Sequence, residues 1–310
     1  MTQQEPIKLL ITGKKKKTKN GGNSMKMKIT GFADEIDQDL KIQVESIKKL
    51  GMSYIEMRGV DGNNLIFHSD EKVTEIKKYL DDNGISLSAL GSPLGKIGIK
   101  DDFVKHFDEF KRAVEIAHMM ETRNIRMFSF YLPEGCNPCD YENAVFDRLG
   151  QFVDYAASND VVLLHENEKG IYGEKAKECK ILMDTFYGDH FKAIFDFANF
   201  IQAGENTLEA YSLLKPYIVY IHVKDALLKD GSVVPAGMGD GNIAAILDDL
   251  NKSGYAGFLS LEPHLFDFVG LSELETSDKK TTIQKKEALT GFEAFQLAHE
   301  SLMKIVNTLS

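Results

Sequence analysis

Four short apolar runs in this chain each end on a side chain able to ligate a metal ion. Val161-Val162-Leu163-Leu164-His165-Glu166 closes on a carboxylate, and Ala193-Ile194-Phe195-Asp196 on a second. Ile218-Val219-Tyr220-Ile221-His222 closes on an imidazole, and Phe258-Leu259-Ser260-Leu261-Glu262 on a third carboxylate. Each run has the length and the β-branched or aromatic content of a buried strand. The four end residues are 30, 26 and 40 positions apart, each step about one strand-plus-helix unit. A single acid at a strand end is ordinarily the first solvated residue of a loop. Four in succession, all able to ligate, point instead to one shared site. Carboxylates crowded there would repel one another unless a cation lay between them. Three carboxylates and an imidazole suit Mn2+ best, with Mg2+, Co2+ or Zn2+ as alternatives.

The elements that must carry these residues alternate along the chain. Met27 to Phe32 reads as a first strand, followed by helical spacing of Leu40, Val44 and Ile47 that Gly51 stops. Tyr54 to Arg58 is a second strand, and Val73, Ile76 and Leu80 mark a helix ended by Asn83-Gly84. Ile85 to Leu90 leads into the loop Gly91-Ser92-Pro93-Leu94-Gly95-Lys96. A helix with Phe103, Phe107, Phe110, Val114 and Ala117 as its stripe precedes a strand from Asn124 to Phe130. The next helix carries Phe146, Leu149, Phe152 and Ala156; later helices are expected near 174–187, 206–214, 243–252 and 286–308. Eight units in residues 25–310 average about 36 residues, which suits a parallel sheet with crossover helices. No Gly-x-Gly-x-x-Gly follows the first strand, so the pattern predicts an α/β fold of the closed (β/α)8 barrel type, a single domain over 25–310.

Side chains in such a barrel alternate between the interior and the helix layer. Turning Glu166 inward brings Leu164 and Val162 with it and sends His165 outward. His222 inward brings Tyr220 and Ile218, with Lys224 one step beyond; Glu262 brings Ser260 and Phe258. Catalytic groups on this fold sit at the carboxyl ends of the strands, which is where all four end residues fall.

Composition sets the outer limits. Of 310 residues, 43% are hydrophobic and 27% charged, the balance of a soluble protein with a sizeable core. No apolar run approaches the ~20 residues of a membrane span. Ile7 to Ile11 is too short for a signal-peptide core, and Lys14 to Lys17 follow it rather than precede it. Residues 1–24, with six Lys and one Glu, read as a disordered basic extension; the net charge of −10 then leaves −15 on residues 25–310. That acidity argues against nucleic acid as a partner. Cys136, Cys139 and Cys179 are too few and odd in number for a disulfide framework, in keeping with a reducing, cytoplasmic setting. Self-association into a homo-oligomer is compatible with all of this.

His165-Glu166-Asn167, Phe195-Asp196, Ile221-His222-Val223-Lys224-Asp225, Gly237-Met238-Gly239-Asp240-Gly241 and Leu261-Glu262-Pro263-His264 resemble the motifs of the xylose-isomerase-like TIM-barrel superfamily, in particular its sugar phosphate isomerase/epimerase group. The resemblance covers residues 26–308. It implies that Glu166, Asp196, His222 and Glu262 bind one divalent metal, and that Glu166 and Glu262 also exchange the substrate proton. The chain departs from the ketose epimerases of that family. They carry a His shortly after the metal-binding Asp, where this chain reads Asp196-Phe197-Ala198-Asn199, and an Arg beyond the metal-binding His, where it offers Lys224 and Lys229.

The implied activity is that of a metal-dependent isomerase or epimerase of a sugar, sugar phosphate or sugar acid. A metal chelated by adjacent oxygens of a hydroxy-carbonyl compound acidifies the C–H between them and stabilises the enediolate. Two carboxylates then remove and return the proton. Loss of a β-hydroxyl from the same enediolate would make the protein a dehydratase of the inosose-dehydratase kind. An endonuclease-IV-like phosphodiesterase would need further His ligands at strands one to four, and a non-catalytic sugar-binding barrel would not need two opposed carboxylates.

Further substrate contacts are expected from Arg58, Lys96, Asn167, Lys224 and His264. Arg58 could instead pair with Glu56 or Asp61, and Lys96 could be a solvated loop residue. The Gly237-x-Gly239-x-Gly241 loop is a candidate phosphate site or a simple turn. His264 could support Glu262 from behind. Cys136-Asn-Pro-Cys139, with no second pair, reads as incidental spacing, and His106, His118 and His299 as packing or surface residues on helices.

Overall fold

A computed structural model describes residues 27–265 and 289–309. The basic extension expected at 1–24 lies outside the described residues, as do positions 286–288 of the last expected helix.

Eight parallel strands form the centre: β1 (Lys28–Gly31), β2 (Tyr54–Met57), β3 (Ser86–Leu90), β4 (Asn124–Met127), β5 (Val162–Glu166), β6 (Phe191–Asp196), β7 (Ile218–Val223) and β8 (Phe258–Leu261). Their spatial order is β1-β8-β7-β6-β5-β4-β3-β2, and a parallel bridge between Phe32 and Glu56 closes the ring. The strands are wrapped by α1 (Leu40–Lys49), α2 (Asp70–Asp82), α3 (Phe103–Met119), α4 (Glu142–Ser158), α5 (Ala176–Phe186), α6 (Phe197–Gln202), α7 (Thr207–Leu214), α8 (Ile243–Lys252) and α9 (Gly291–Val306). This is a (β/α)8 TIM barrel, with no helix among the described residues long and apolar enough to cross a membrane.

Local chemistry starts these helices where the strands leave off. Asp39, Ser69, Asp102 and Asn206 each accept backbone N–H groups at a helix start, and Thr290 forms a capping box with Glu293. The main apolar cluster lies between strands and helices, where Val44, Ile47, Phe110, Leu149, Phe152, Phe195, Leu247 and Leu302 are fully enclosed. A smaller cluster of Ala89, Val162, Leu164, Ile194 and Tyr220 fills the barrel itself.

Three details differ from the sequence pattern. Strand β4 ends at Met127 rather than Phe130, because Phe128, Phe130 and Tyr131 donate to Leu94, Gly95 and Ile97 of the loop after β3. Gly95 makes that contact possible: at φ +85°, a Cβ there would lie 2.0 Å from the Phe128 carbonyl oxygen. The short helix α6 begins directly after Asp196 and escapes a periodicity reading at 6 residues. A register shift between β6 and β7 pairs Ala193 with Ile218 but Ile194 with Tyr220. This bulge turns Ile218 into the outer core, against the expectation that it shares the inner face with Tyr220 and His222.

Candidate metal centre

Strand registers bring the four end residues together. Asp196 is level with His222, His222 is level with Ser260, and Glu166 is level with Ile194 one step lower. Glu166, Asp196, His222 and Glu262 are all buried, and their ligating atoms lie within 4.8 Å of one another. His222 Nδ1 stands 2.8 Å from Glu166 Oε1 and 3.6 Å from Glu262 Oε2. Asp196 is divided between two tasks. Its Oδ1 accepts the Asn199 N–H at 2.7 Å and so caps α6, while its buried Oδ2 has no hydrogen-bond partner.

Charge in this volume is heavily one-sided. Six buried carboxylates (Asp34, Glu35, Glu56, Glu166, Asp196 and Glu262) face three permanent cations, Arg58, Arg126 and Lys224. Each buried charge needs a partner or a proton. In the chain alone the shortage shows in the ionisations. His222 is pushed well above its usual range: burial opposes its charge, but the Glu166 and Glu56 carboxylates outweigh burial. Asp196 rises to about 7 through burial and the nearby Glu166 and Glu262, against the pull of Lys224. Glu35 is also pushed up, chiefly by burial. Glu166 is held at about 2 despite burial, by His222 and Arg126, and Glu262 is held well below its usual range by Lys224 and His222. The orphaned Asp196 oxygen, the inward Nδ1 of His222 and the excess of carboxylates all fit a divalent cation.

The sequence model for the xylose isomerase-like TIM barrel family matches residues 44–283. This chain belongs to that family. Among solved structures, the IOLI protein with a bound zinc atom superposes with a TM-score of 0.70 at 20% identity, covering 92% of this chain and 99% of that one. D-psicose 3-epimerase with D-tagatose, from Clostridium cellulolyticum H10, gives 0.69 at 15% identity, over 92% and 100%. The probable 3-DHS dehydratase AsbF of petrobactin synthesis from Bacillus anthracis gives 0.64 at 18%, over 76% and 92%. No curated protein matches the sequence. At these identities the neighbours share the fold.

The xylose isomerase-like barrel places the other expected contacts unevenly. Lys224 reaches the cluster, with Nζ 3.4 Å from Asp196 Oδ2 and 3.3 Å from Glu262 Oε2. Arg58 also arrives there, but its partners are neither Glu56 nor Asp61. It pairs with Asp34 at 2.8 Å, Glu262 at 3.0 Å and Glu35 at 3.5 Å, because the chain turns after β2 and carries Asp61 away to Lys72. Lys96 is an ion-paired residue rather than a solvated one, 2.9 Å from Glu168 and over the Phe128 ring. Asn167 is committed to the backbone: it exchanges two hydrogen bonds of 3.0 Å with Asp196, tying the ends of β5 and β6. His264 lies 3.5 Å from both Glu262 and Glu35.

The glycine loop is not free for a phosphate. Asp225 accepts the N–H groups of Gly237, Gly239 and Gly241 at 2.9, 3.0 and 2.9 Å, so the loop's donors already hold a carboxylate of the chain itself. Cys136 and Cys139 belong to no metal-capable cluster among the described residues.

Four residues of this cluster were missed from sequence: Asp34 and Glu35, which pair with Arg58, and Arg126 and Glu56. Arg126 is 3% exposed, with Nη1 3.2 Å from Glu166 and 3.8 Å from Glu262. Glu56 is 0% exposed and stands 3.2 Å from His222 Nε2. The available signal was the alternation itself. The inner face of a barrel strand is enclosed, so a charged residue that alternation turns to that face, as it does Glu56 and Arg126, belongs to an internal polar cluster.

Proposed function

We propose that this barrel is a divalent-metal-dependent isomerase or epimerase acting on a sugar, sugar phosphate or sugar acid in the cytoplasm. One observation carries the reading. Glu166 and Glu262 face a common small volume, each reaching both His222 Nδ1 and Arg126 Nη1, with Asp196 beside them. Glu166, Asp196, His222 and Glu262 would hold the cation, and this donor set favours Mn2+. When bound, the cation would supply Lewis acidity to a chelating hydroxy-carbonyl substrate and so acidify its C–H.

The chain's own residues do the rest. Both glutamates are held ionised, so each is an acceptor at neutral pH. Either can take the proton from carbon; the glutamic acid so formed gives it back, or the opposite glutamate delivers one after gaining a proton from solvent. Return to the opposite face gives an epimer, and return to the adjacent carbon gives an isomer. Arg126 and Lys224 donate beside the oxygens on which negative charge develops. Lys96, Arg58 and His264 border the same strand ends and would meet the remoter part of the substrate.

The test is proton exchange from D2O into a panel of ketoses, inososes and their phosphates, followed by NMR on Mn2+-loaded protein. Glu262→Gln should slow exchange by about 10²- to 10⁴-fold. A wild-type rate in that variant would refute the assignment. Loss of water from the substrate would identify a dehydratase, and three bound zinc ions per chain would favour the phosphodiesterase.

A further inference from the structure

The interior of a barrel of this kind is ordinarily filled with bulky branched side chains. Here five strands send polar groups to one point beneath the metal cluster. Glu56 of β2 is wholly buried, and its Oε2 accepts from Tyr220 Oη of β7 at 2.8 Å and from Ser260 Oγ of β8 at 2.6 Å. Tyr220 Oη is also 3.0 Å from Ser88 Oγ of β3, which is 2.8 Å from Thr30 Oγ1 of β1. The same Glu56 oxygen stands 3.2 Å from His222 Nε2. Among the described residues, His222 is the side chain able to bring positive charge within ion-pair distance of Glu56.

The imidazole is thereby clamped between two environments. Its Nδ1 faces Glu166 and Glu262, its Nε2 faces Glu56, and its ring meets Phe32 edge-on at 5.3 Å. The contact at Nε2 is an ion-pair distance and not an aligned hydrogen bond, and the negative charge of Glu56 favours the proton on that nitrogen, leaving the Nδ1 lone pair for a cation. The hydroxyl chain fixes where the carboxylate sits, since two of its hydrogen bonds come from the neighbouring strands β7 and β8 and reach across the barrel to Glu56 on β2.

We propose that Glu56 is a positioning residue of the metal centre: its buried charge, 3.2 Å from Nε2, favours the tautomer of His222 that carries its proton there and turns a free Nδ1 toward Glu166, Asp196 and Glu262, and so sets the affinity for the divalent cation. The inference rests on the metal-binding half of the function proposed above. Glu56 itself touches neither substrate nor cation.

Two sets of measurements test it, the first on a variant and the second on the wild type. Calorimetric titration of chelator-treated protein with Mn2+ should show Glu56→Gln binding 10- to 100-fold more weakly than wild type. The melting temperature of the metal-free variant should stay within a few degrees of wild type, whereas its rise on adding Mn2+ should shrink. Affinity within threefold of wild type would overturn the proposal, as would equal losses of stability with and without Mn2+. The second measurement needs no variant: ¹⁵N NMR of the Zn2+-loaded wild type should show His222 protonated at Nε2 and ligating through Nδ1. The opposite tautomer would overturn the proposal even if Glu56→Gln failed to fold. If the wild type binds Mn2+ but exchanges no substrate proton, the functional reading fails and the role of Glu56 stands. If the wild type binds no divalent ion, both fall.

Discussion

His165 immediately precedes Glu166, yet its side chain belongs to the opposite layer, and its ionisation provides a quantitative check on that placement. The ring is 1% exposed, with Nε2 3.0 Å from Ser129 Oγ and Phe191 beside it. Burial lowers its pKa from 6.5 to about 4, with the Glu166 charge opposing only in part. The folded chain therefore binds this proton less readily than the unfolded chain. The stability associated with neutral His165 is fully present above pH 6.5 and is lost as pH falls toward 4. At 1.36 kcal/mol per pKa unit the full difference is about 3 kcal/mol, most of it expressed by pH 4.5. Denaturant unfolding of metal-free protein at pH 7.5 and pH 4.5, compared between wild type and His165→Gln, isolates this contribution, because the other titrating groups are common to both. The variant should lose about 2–3 kcal/mol less than wild type over that interval. An equal loss would refute the reasoning, as would an NMR titration in which the wild-type ring charges near pH 6.5.

Two further substitutions probe the surroundings of the site. Arg126→Met removes the guanidinium that spans Glu166 and Glu262 and should cost about 3–5 kcal/mol in metal-free protein, as for a broken buried ion pair. That penalty should shrink in saturating Mn2+; an unchanged penalty in calorimetric melts would mean that Arg126 does not share its carboxylates with a cation. Gly239→Ala places a Cβ 2.4 Å from both the Ala226 carbonyl oxygen and Asp225 Oδ1. It should cost about 1–3 kcal/mol by overpacking, and faster amide exchange at Gly237 and Gly241 would report the loosened loop.

The barrel and its four strand ends were legible because one rule generated both. An apolar run that stops on a charged or ligating side chain marks the point where a buried strand reaches the open end of the barrel. Runs ending at Glu166, Asp196, His222 and Glu262 therefore announced the strands and the site together. Arg126 and Glu56 were not legible in that way, since each sits inside its run (Asn-Ile-Arg-Met and Tyr-Ile-Glu-Met) and reaches the site only through the tilt and register of neighbouring strands. Ile218 was misplaced for a related reason. Strict alternation assumes an unbroken ladder, and the bulge between β6 and β7 shifts it by one residue. Asp225 shows the limit for loops: its four backbone donors arise from a turn whose path the glycines permit but do not specify.

Arg58, Arg126, Lys224 and His222 together explain how so many carboxylates survive inside one barrel. Arg58 takes both oxygens of Asp34, at 2.8 and 3.2 Å, and one of Glu262 at 3.0 Å, so its shortest contact is of full charge-assisted strength. Arg126 and Lys224 instead contact the ligating carboxylates at 3.2–3.4 Å. Charge-assisted hydrogen bonds are shorter than that when they are fully formed. These two cations are thus positioned near the ligands without saturating them, which leaves carboxylate lone pairs for another cation. His222 completes the arrangement: charged, it can offset Glu166 and Glu56 in the chain alone, and neutral, it would offer Nδ1 to a cation on the reading proposed above. On that reading, loading with a divalent ion would displace the imidazolium proton of His222, and the metal's charge would offset the surrounding carboxylates in its place. The barrel frame need not change for that exchange, because the strands that carry the ligands are fixed by their registers and by the outer core.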